Sequence, residues 1–235
     1  MQMLPVVILA GGLATRLRPI TEHIPKALVQ INGEPFLAHQ LRLLRRNGIQ
    51  RVVLSVAYKG EMIQDFAGDG SAYGLHIDYV FDGPTYLGTG GAIRNALAYL
   101  GESFLTLYGD SYLPCDFSAV QSAFHASGLP ALMTVYQNEG QFDTSNVEFA
   151  DGRILKYDKR ERTSAMRHID YGLGVFQASA FAAYATGEPL DLATVFQDAL
   201  RAGKLAAFEV SDRFYEIGTP EGIRETEQHI EREPK

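Results

Sequence analysis

The chain has a single cysteine, Cys115, so no internal disulfide can form, and this favours a reducing compartment. Basic charge is also scarce, because 21 Lys and Arg residues against 28 Asp and Glu residues give a net charge of −7. This balance argues against a polynucleotide partner, which requires a basic face. No apolar run approaches the roughly 20 residues of a membrane-spanning helix. We therefore expect a cytoplasmic protein that binds neither nucleic acid nor a membrane.

The sequence lacks internal repeats and Pro- or Ser-rich linkers, so we expect residues 1–235 to form a single domain. Its first half alternates strand and helix patterns, which predicts parallel strands with helices on both faces. The expected strands lie at 6–10, 51–57, 75–81 and 103–110, and the expected helices at 36–48, 60–68 and 89–100. The second half predicts more strands around an Asp151-Gly152 hairpin turn, and helices at 194–202 and 220–231. Ligands of such sheets bind at the carboxyl ends of the strands.

The first strand leads into a glycine-rich loop with basic residues, LAGGLATRLRPITEHIPKAL, at residues 9–28. Gly11 and Gly12 allow backbone N–H groups to approach an anion. Arg16 can grip phosphate oxygens with its planar fork, and Lys26 can place a point charge beside them. The segment has no GK[ST] sequence and is not a P-loop. It therefore predicts a different kind of phosphate-binding loop, the alternative being a surface loop with scattered cations.

Two other segments end or begin at the same edge of the predicted sheet. Asp110 follows a buried strand and a glycine, where its carboxylate is well placed for Mg²⁺ bound to phosphates, or for a simple Asx turn. The segment GPTYLGTGGAIRNAL, which begins at Gly83, opens a helix with several glycines. Small residues such as Gly88 let a flat base lie against the backbone, and Thr89 is also a candidate helix cap.

The loop at 9–28 resembles the signature of sugar-phosphate nucleotidyltransferases, L-A-G-G-x-G-T-R-L-x-P-x-T followed by P-K, except that Ala14 replaces a glycine. The resemblance extends over about 6–227. It implies an α/β fold, a three-layer α/β/α sandwich with a mostly parallel mixed sheet, whose N-terminal half binds nucleotide and whose C-terminal half binds sugar phosphate. It also implies that the triphosphate and base are bound by Leu9, Ala10, Gly11, Gly12, Arg16, Lys26, Gly83 and Gly88. The catalytic residues implied are Arg16, Lys26 and Asp110.

The segment RFYEIGTPEGI resembles the family's W-x-D-I-G-T-P-E-D-Y, which carries a second metal-binding aspartate. The resemblance therefore implies a Mg²⁺ ion held by Asp110 and Glu216. Glutamate is longer than aspartate by one methylene group. Either the backbone at 213–218 is withdrawn, or the metal is held more loosely and Mn²⁺ is also accepted.

Two further segments resemble the sugar-phosphate site of the family. ILKYDKRE is similar to a strand ending in E-K-P, which implies that Lys159 meets the sugar phosphate; a solvated charged turn is the alternative. IDYGLGVF resembles the family's N-x-G-I-Y strand and places Asp170 and Gly172 in the sugar pocket. Asp170 is acceptor-only and suits sugar hydroxyls.

The resemblance implies transfer of a nucleoside monophosphate from a nucleoside triphosphate to a sugar 1-phosphate, with release of pyrophosphate. The sequence LGTGGAI favours GTP with a heptose or mannose 1-phosphate. UTP with an N-acetylmuramate or other hexose 1-phosphate stays open, as do a non-catalytic nucleotide-sensing subunit and a homo-oligomer. A glycosyltransferase is disfavoured because Ser111 and Tyr112 follow Asp110, so no D-x-D motif is formed.

Overall fold

The computed structural model describes residues 2–12, 17, 19–83 and 85–233. Arg16 and Ala14, which the sequence singles out, lie outside the described residues. The first-half strands are β1 (Val6–Leu9), β2 (Gln30–Ile31), β3 (Glu34–Pro35), β4 (Arg51–Val56), β5 (His76–Phe81), β6 (Ser103–Tyr108) and β7 (Ser111–Tyr112). The second-half strands are β8 (Ala131–Gln137), β9 (Val147–Ala150), β10 (Arg153–Tyr157), β11 (His168–Gln177), β12 (Leu205–Val210) and β13 (Tyr215–Glu216). The α-helices are α1 (Phe36–Arg46), α2 (Gly60–Ala67), α3 (Gly88–Leu100), α4 (Phe117–Ser127), α5 (Leu192–Arg201) and α6 (Pro220–Arg232).

A nine-stranded mixed sheet forms the centre of the molecule, with the order β10-β9-β11-β6-β1-β4-β5, and with β8 beside β11 and β12 beside β8. The strands β6, β1, β4 and β5 run parallel, while β11 is antiparallel to β6. The parallel strands therefore end at one common edge, where the loops from the first half of the chain meet.

Helices cover both faces of this sheet. Along β1, Val6 and Ile8 pack on the face covered by α1, α2 and α4, whereas Val7 packs on the face covered by α3 and α5. Successive side chains of a strand point to opposite faces, so a strand buried on both faces must be apolar throughout. A separate, smaller apolar cluster joins α6 to the β13 region and to Ile31 of β2.

The predicted three-layer α/β/α sandwich is confirmed. The predicted hairpin is present as well, because Asp151 and Gly152 have φ angles of 51° and 73°, as a two-residue turn of type I′ requires. Helix α4 and strand β12 are absent from the sequence prediction. Within the described ranges, no helix has the length and apolar character needed to cross a membrane.

Candidate active site

A cleft opens where β1, β4, β5 and β6 end. Its floor is made by the last residues of these strands, and its walls by the glycine loop and by the start of α3. The lining residues are Leu9, Ala10, Gly11, Gly12, Lys26, Ala27, Ser55, Asp82, Tyr86, Gly88, Thr89, Ala92, Tyr108, Gly109 and Asp110. The carboxyl edge of a parallel sheet is the expected position for a ligand site.

The turn after β6 brings Asp110 to the cleft because Gly109 packs tightly against β1. The Gly109 N–H donates to the Leu9 carbonyl (3.0 Å), and a Cβ atom at position 109 would lie 2.7 Å from that oxygen. A larger residue here would push the Asp110 turn away from the glycine loop. The buried Gln40 amide secures the same turn by donating to the Tyr108 and Ser111 carbonyls at 3.0 and 2.8 Å.

Lys26 and Asp110 form an ion pair across the cleft, with 2.6 Å between Lys26 Nζ and Asp110 Oδ2. Their side chains are 16% and 31% exposed, so both reach the cleft surface. The two residues are 84 positions apart and come from different loops. The structure therefore brings together a cation and a carboxylate that the sequence assigned to one catalytic centre.

The glycines of the LGTGG segment serve packing as well as access. A Cβ atom at Gly88 would lie 2.7 Å from the Leu190 carbonyl oxygen, and one at Gly91 would lie 2.8 Å from the Glu188 carbonyl oxygen. The Gly90 and Gly91 N–H groups donate to the Leu190 carbonyl at 2.8 and 3.1 Å. The start of α3 is thus fixed against the segment that precedes α5.

Thr89 links the same two helices. Its hydroxyl accepts a hydrogen bond from the Leu192 N–H (2.9 Å) and donates to Asp191 Oδ1 (3.3 Å). Asp191 itself caps α5 by accepting from the Ala193 N–H (2.9 Å). Thr89 therefore contributes to the cap of α5. The sequence had suggested that it caps its own helix, α3, and this prediction is wrong.

Asp82 follows β5 and lies at the end of the cleft opposite Asp110. Its Oδ1 accepts a hydrogen bond from the Ser55 hydroxyl (3.2 Å), and its Oδ2 lies 3.4 Å from the position of a Cβ atom on Gly11. Burial raises the pKa of the Asp82 carboxyl, and the Ser55 hydrogen bond offsets part of this effect. Asp82 lies one position before Gly83, the first residue of the predicted base-binding segment, and was not itself predicted.

A second cavity adjoins the cleft on the side of the antiparallel strands. The two share Tyr86, Gly88, Thr89 and Tyr108, and the second is completed by Lys159, Pro189, Leu190 and Asp191. Lys159 Nζ lies 5.5 Å from the centre of the Tyr108 ring, within the range of a cation–π contact. Partial burial works to lower the pKa of Lys159, but Tyr108, Asp170 and Asp191 raise it above its usual range. Lys159 therefore places a cation in the second cavity, beside Tyr108, which lines both cavities.

Asp170 lies beneath Lys159, with a side chain only 5% exposed and 3.6 Å between Asp170 Oδ2 and Lys159 Nζ. Its carboxylate also accepts from the Tyr157 hydroxyl (3.0 Å) and from the Gly172 N–H (3.1 Å). Gly172 has a φ angle of +100°, and a Cβ atom there would lie 3.4 Å from the Tyr108 ring. The geometry thus gives Asp170 contacts that hold Lys159 in place, and a contact of Asp170 with sugar hydroxyls stays a prediction.

Glu216 lies beside Asp110 through the pairing of two short strands. It is paired with Ser111, and the next residue, Ile217, donates its N–H to the Asp110 carbonyl (3.0 Å). Two carboxylates supply the hard oxygen ligands that Mg²⁺ prefers. Within the described part of the chain, no group of three or more His, Cys, Asp or Glu side chains is positioned to hold a metal alone. Asp110 lines the cleft, whereas Glu216 is exposed at the end of β13 and does not line it, so these two carboxylates could hold a Mg²⁺ ion only together with further ligands from outside this pair.

Most of the residues predicted to bind nucleotide line the first cleft, namely Leu9, Ala10, Gly11, Gly12, Lys26 and Gly88. Gly83 follows Asp82 without lining the cleft, and Arg16 lies outside the described residues. Lys159 lines the second cavity with Asp170 and Gly172 behind it. Asp82, Gln40 and Tyr86 are positioned at or behind the cleft but were not predicted.

Residues 5–233 match the family model described as "Nucleotidyl transferase". The chain is 30% identical to the D-glycero-alpha-D-manno-heptose 1-phosphate guanylyltransferase of Campylobacter jejuni, over 92% of this chain and 95% of that protein. It is 28% identical to the N-acetylmuramate alpha-1-phosphate uridylyltransferase of Neisseria meningitidis, over 94% and 96% of the two chains. The crystal structure of HddC from Yersinia pseudotuberculosis complexed with GMP-PN is 26% identical and superposes with a TM-score of 0.79, covering 97% of this chain and all of that one.

Proposed function

The chain belongs to the nucleotidyl transferase family, and we propose that it transfers GMP from GTP to a heptose or mannose 1-phosphate. As a sugar-1-phosphate nucleotidyltransferase, it joins a nucleoside monophosphate to a sugar 1-phosphate and releases pyrophosphate. The observation that supports the proposed arrangement is the pair of joined cavities, with Lys26 and Asp110 in one and Lys159 in the other. We propose that residues 1–235 form one catalytic domain and that the enzyme works in the cytoplasm.

The reaction proposed for this site is an in-line displacement at the α-phosphorus of the triphosphate. An oxygen of the sugar phosphate forms the new P–O bond, and the bond to the β-phosphate oxygen breaks as pyrophosphate leaves. The attacking oxygen is already anionic, so no general base is required. The chain must instead bring two anions together and offset their repulsion.

The cations of the site are suited to that task. Lys26 lines the first cavity, where we place the triphosphate, and Lys159 lines the second, where we place the sugar phosphate. Lys159 stays protonated because its pKa is raised, so it can offset the charge of the sugar phosphate across the neutral pH range. We propose that Arg16, from the same loop as Lys26, also contacts the β- and γ-phosphates.

We propose that Asp110 and Glu216 would hold a Mg²⁺ ion at the cleft. When bound, the ion neutralises phosphate charge and polarises the P–O bonds of the reacting group. The Asp110 carboxylate pairs with Lys26, and this ion pair holds both side chains at the cleft surface.

The preference for guanine is supported by Asp82. Guanine presents N1–H and N2–H₂ donors side by side, and a carboxylate can accept from both. Uracil offers one N–H between two carbonyl oxygens, which a carboxylate would repel. Asp82 lies in the cleft near Gly11 and, in its ionised form, offers acceptors only. The relative from Campylobacter jejuni, a guanylyltransferase by name, supports the same choice.

A pyrophosphate-release assay over a matrix of substrates tests this proposal. GTP, UTP, CTP and dTTP are each combined with the 1-phosphates of heptose, mannose, glucose and N-acetylmuramate. We expect the highest kcat/KM for GTP with heptose or mannose 1-phosphate. A clear preference for UTP with N-acetylmuramate 1-phosphate would reject the proposed pair and favour the activity named for the Neisseria meningitidis relative.

A further inference from the structure

Glu216 is followed by a tight connection to α6. The strand β13 ends at Glu216, Thr219 caps the helix, and the Thr219 hydroxyl accepts from the Gly222 N–H at 3.0 Å. Gly222 therefore lies in the first turn of α6, only six residues after Glu216. Glycine is a poor helix former, so its presence in a helical turn calls for a specific reason.

The reason lies in the contact between Gly222 and the backbone of Glu216. A Cβ atom at position 222 would lie 2.1 Å from the Glu216 carbonyl oxygen and 3.3 Å from the carbonyl carbon. To reach even 3.0 Å from that oxygen, such an atom would have to move, or displace β13, by about 0.9 Å. No other described glycine shows so short a distance to backbone. Gly222 thus lets β13 pack closer to α6 than any side chain would allow.

This packing determines where the Glu216 side chain begins. Strand β13 lies between α6 on one side and β7, with the adjacent Asp110, on the other. Because β13 rests directly against Gly222, any side chain at position 222 would displace the backbone of Glu216. A carboxylate that starts farther from the cleft needs a longer side chain to reach the same point.

We propose that Gly222 is a positioning residue for the Glu216 carboxylate, and that the withdrawn backbone and the long glutamate side chain form a matched pair. The inference rests on the proposed metal role of Glu216. It selects the withdrawn backbone over loose metal binding as the consequence of a glutamate at this position. Changing either residue alone should then weaken metal binding, and changing both together should largely restore it.

The test measures metal binding without turnover. Full-length protein is titrated with Mn²⁺ in the presence of α,β-methylene-GTP, which cannot release pyrophosphate, and bound Mn²⁺ is followed by electron paramagnetic resonance. We expect Glu216→Asp to weaken Mn²⁺ binding about 10-fold because the shorter carboxylate falls short of the ion. We expect Gly222→Ala to weaken it by a similar factor because β13 is displaced.

The double variant Gly222→Ala/Glu216→Asp separates this proposal from a general loss of packing. If β13 moves toward the ion while the side chain shortens, binding should recover to within about 3-fold of the parent, a strong departure from additivity. The control Gln228→Ala, at an exposed neutral position of α6, should leave Mn²⁺ binding unchanged. A merely structural role for Gly222 predicts no such recovery.

Two outcomes overturn the proposal in different ways. If Glu216→Asp binds Mn²⁺ as tightly as the parent while Glu216→Gln binds it weakly, Glu216 is a ligand but the matched spacing is wrong. If Glu216→Gln binds Mn²⁺ like the parent, the metal role of Glu216 in the proposed function fails as well. Should Gly222→Ala not fold, Mn²⁺ binding by Glu216→Asp as tight as that of the parent would still overturn the matched spacing.

Discussion

The substitution Asp82→Asn tests how the cleft selects its base. Asparagine keeps the shape of aspartate and can still accept a hydrogen bond from Ser55, which lies 3.2 Å from Asp82 Oδ1. Its amide, however, replaces one carboxylate oxygen with an NH₂ donor. In a complex with guanine, that donor would face a donor of the base, and one charge-assisted hydrogen bond would be lost.

The size of the effect follows from this exchange. A hydrogen bond to a charged group is worth about 1.5–3 kcal/mol, and an unpaired donor in a partly buried site adds to the loss. We therefore expect a loss of about 2–3 kcal/mol, equivalent to about 30- to 150-fold in kcat/KM for GTP. The value for UTP should stay the same or rise, because an amide can donate to a uracil carbonyl.

The pH dependence gives an independent check. Burial raises the pKa of Asp82, and guanine recognition needs the ionised form, so KM for GTP should rise as the pH falls through this raised pKa. In Asp82→Asn that dependence should disappear. A carboxyl group with a raised folded-state pKa stabilises the fold at low pH, and this contribution is lost as the pH rises through that pKa. The variant should therefore have an equal or higher Tm than the parent at pH 7.

Competition assays with GTP and UTP in the same mixture measure the selectivity directly. The matched control is Asp78→Asn, which makes the same chemical change on β5, where Asp78 pairs with Arg51 at 3.0 Å and does not line the cleft. The control should keep the selectivity of the parent. A GTP-to-UTP ratio in Asp82→Asn within 3-fold of the parent would refute the base-reading role.

Asp110→Asn should lower kcat about 100-fold or more while Tm changes little, since the Lys26 pair is partly exposed; turnover within a few-fold of the parent would defeat the assignment. Lys159→Met should raise KM for the sugar 1-phosphate by about 5- to 20-fold and leave KM for GTP nearly unchanged, whereas the control Lys156→Met should alter neither. Equal losses for both substrates would contradict a sugar-phosphate role for Lys159. Thr89→Val removes an acceptor at the start of α5 and should cost about 0.5–2 kcal/mol in the free energy of unfolding, which denaturant titration can measure.

Local sequence signals predicted the parts of the site that depend on neighbouring residues. The buried strand before Gly11 and Gly12 identified the loop, and the strand before Asp110 identified the carboxylate. Because parallel strands end at one edge of a sheet, the meeting of Lys26 and Asp110 could be expected. The sequence also contains an N-cap signal for helix α4, which was not predicted. Asp116 caps it by accepting from the Ser118 and Ala119 N–H groups, four residues before the buried Val120.

Other features depend on contacts between distant segments and could not be predicted in this way. Gln40 is one of several polar residues on an amphipathic helix, and only the fold shows that its amide secures the turn at Asp110. The glycines of the LGTGG segment pack on Leu190, about 100 positions later, which no local pattern indicates. The burial of Asp170 under Lys159 likewise arises from pairing between strands. A resemblance can name such residues, but their physical roles require the assembled structure.

The central claim is that the joined cavities transfer a nucleoside monophosphate to a sugar phosphate. GTP labelled at the α-phosphate, or in parallel at the γ-phosphate, is incubated with the preferred sugar 1-phosphate, and the products are separated by chromatography. We predict that the α-label enters a nucleotide sugar and the γ-label enters pyrophosphate in equal amounts, and that Asp110→Asn lowers both together. Transfer of the γ-label to the sugar, or its release as inorganic phosphate without a nucleotide sugar, would contradict the account.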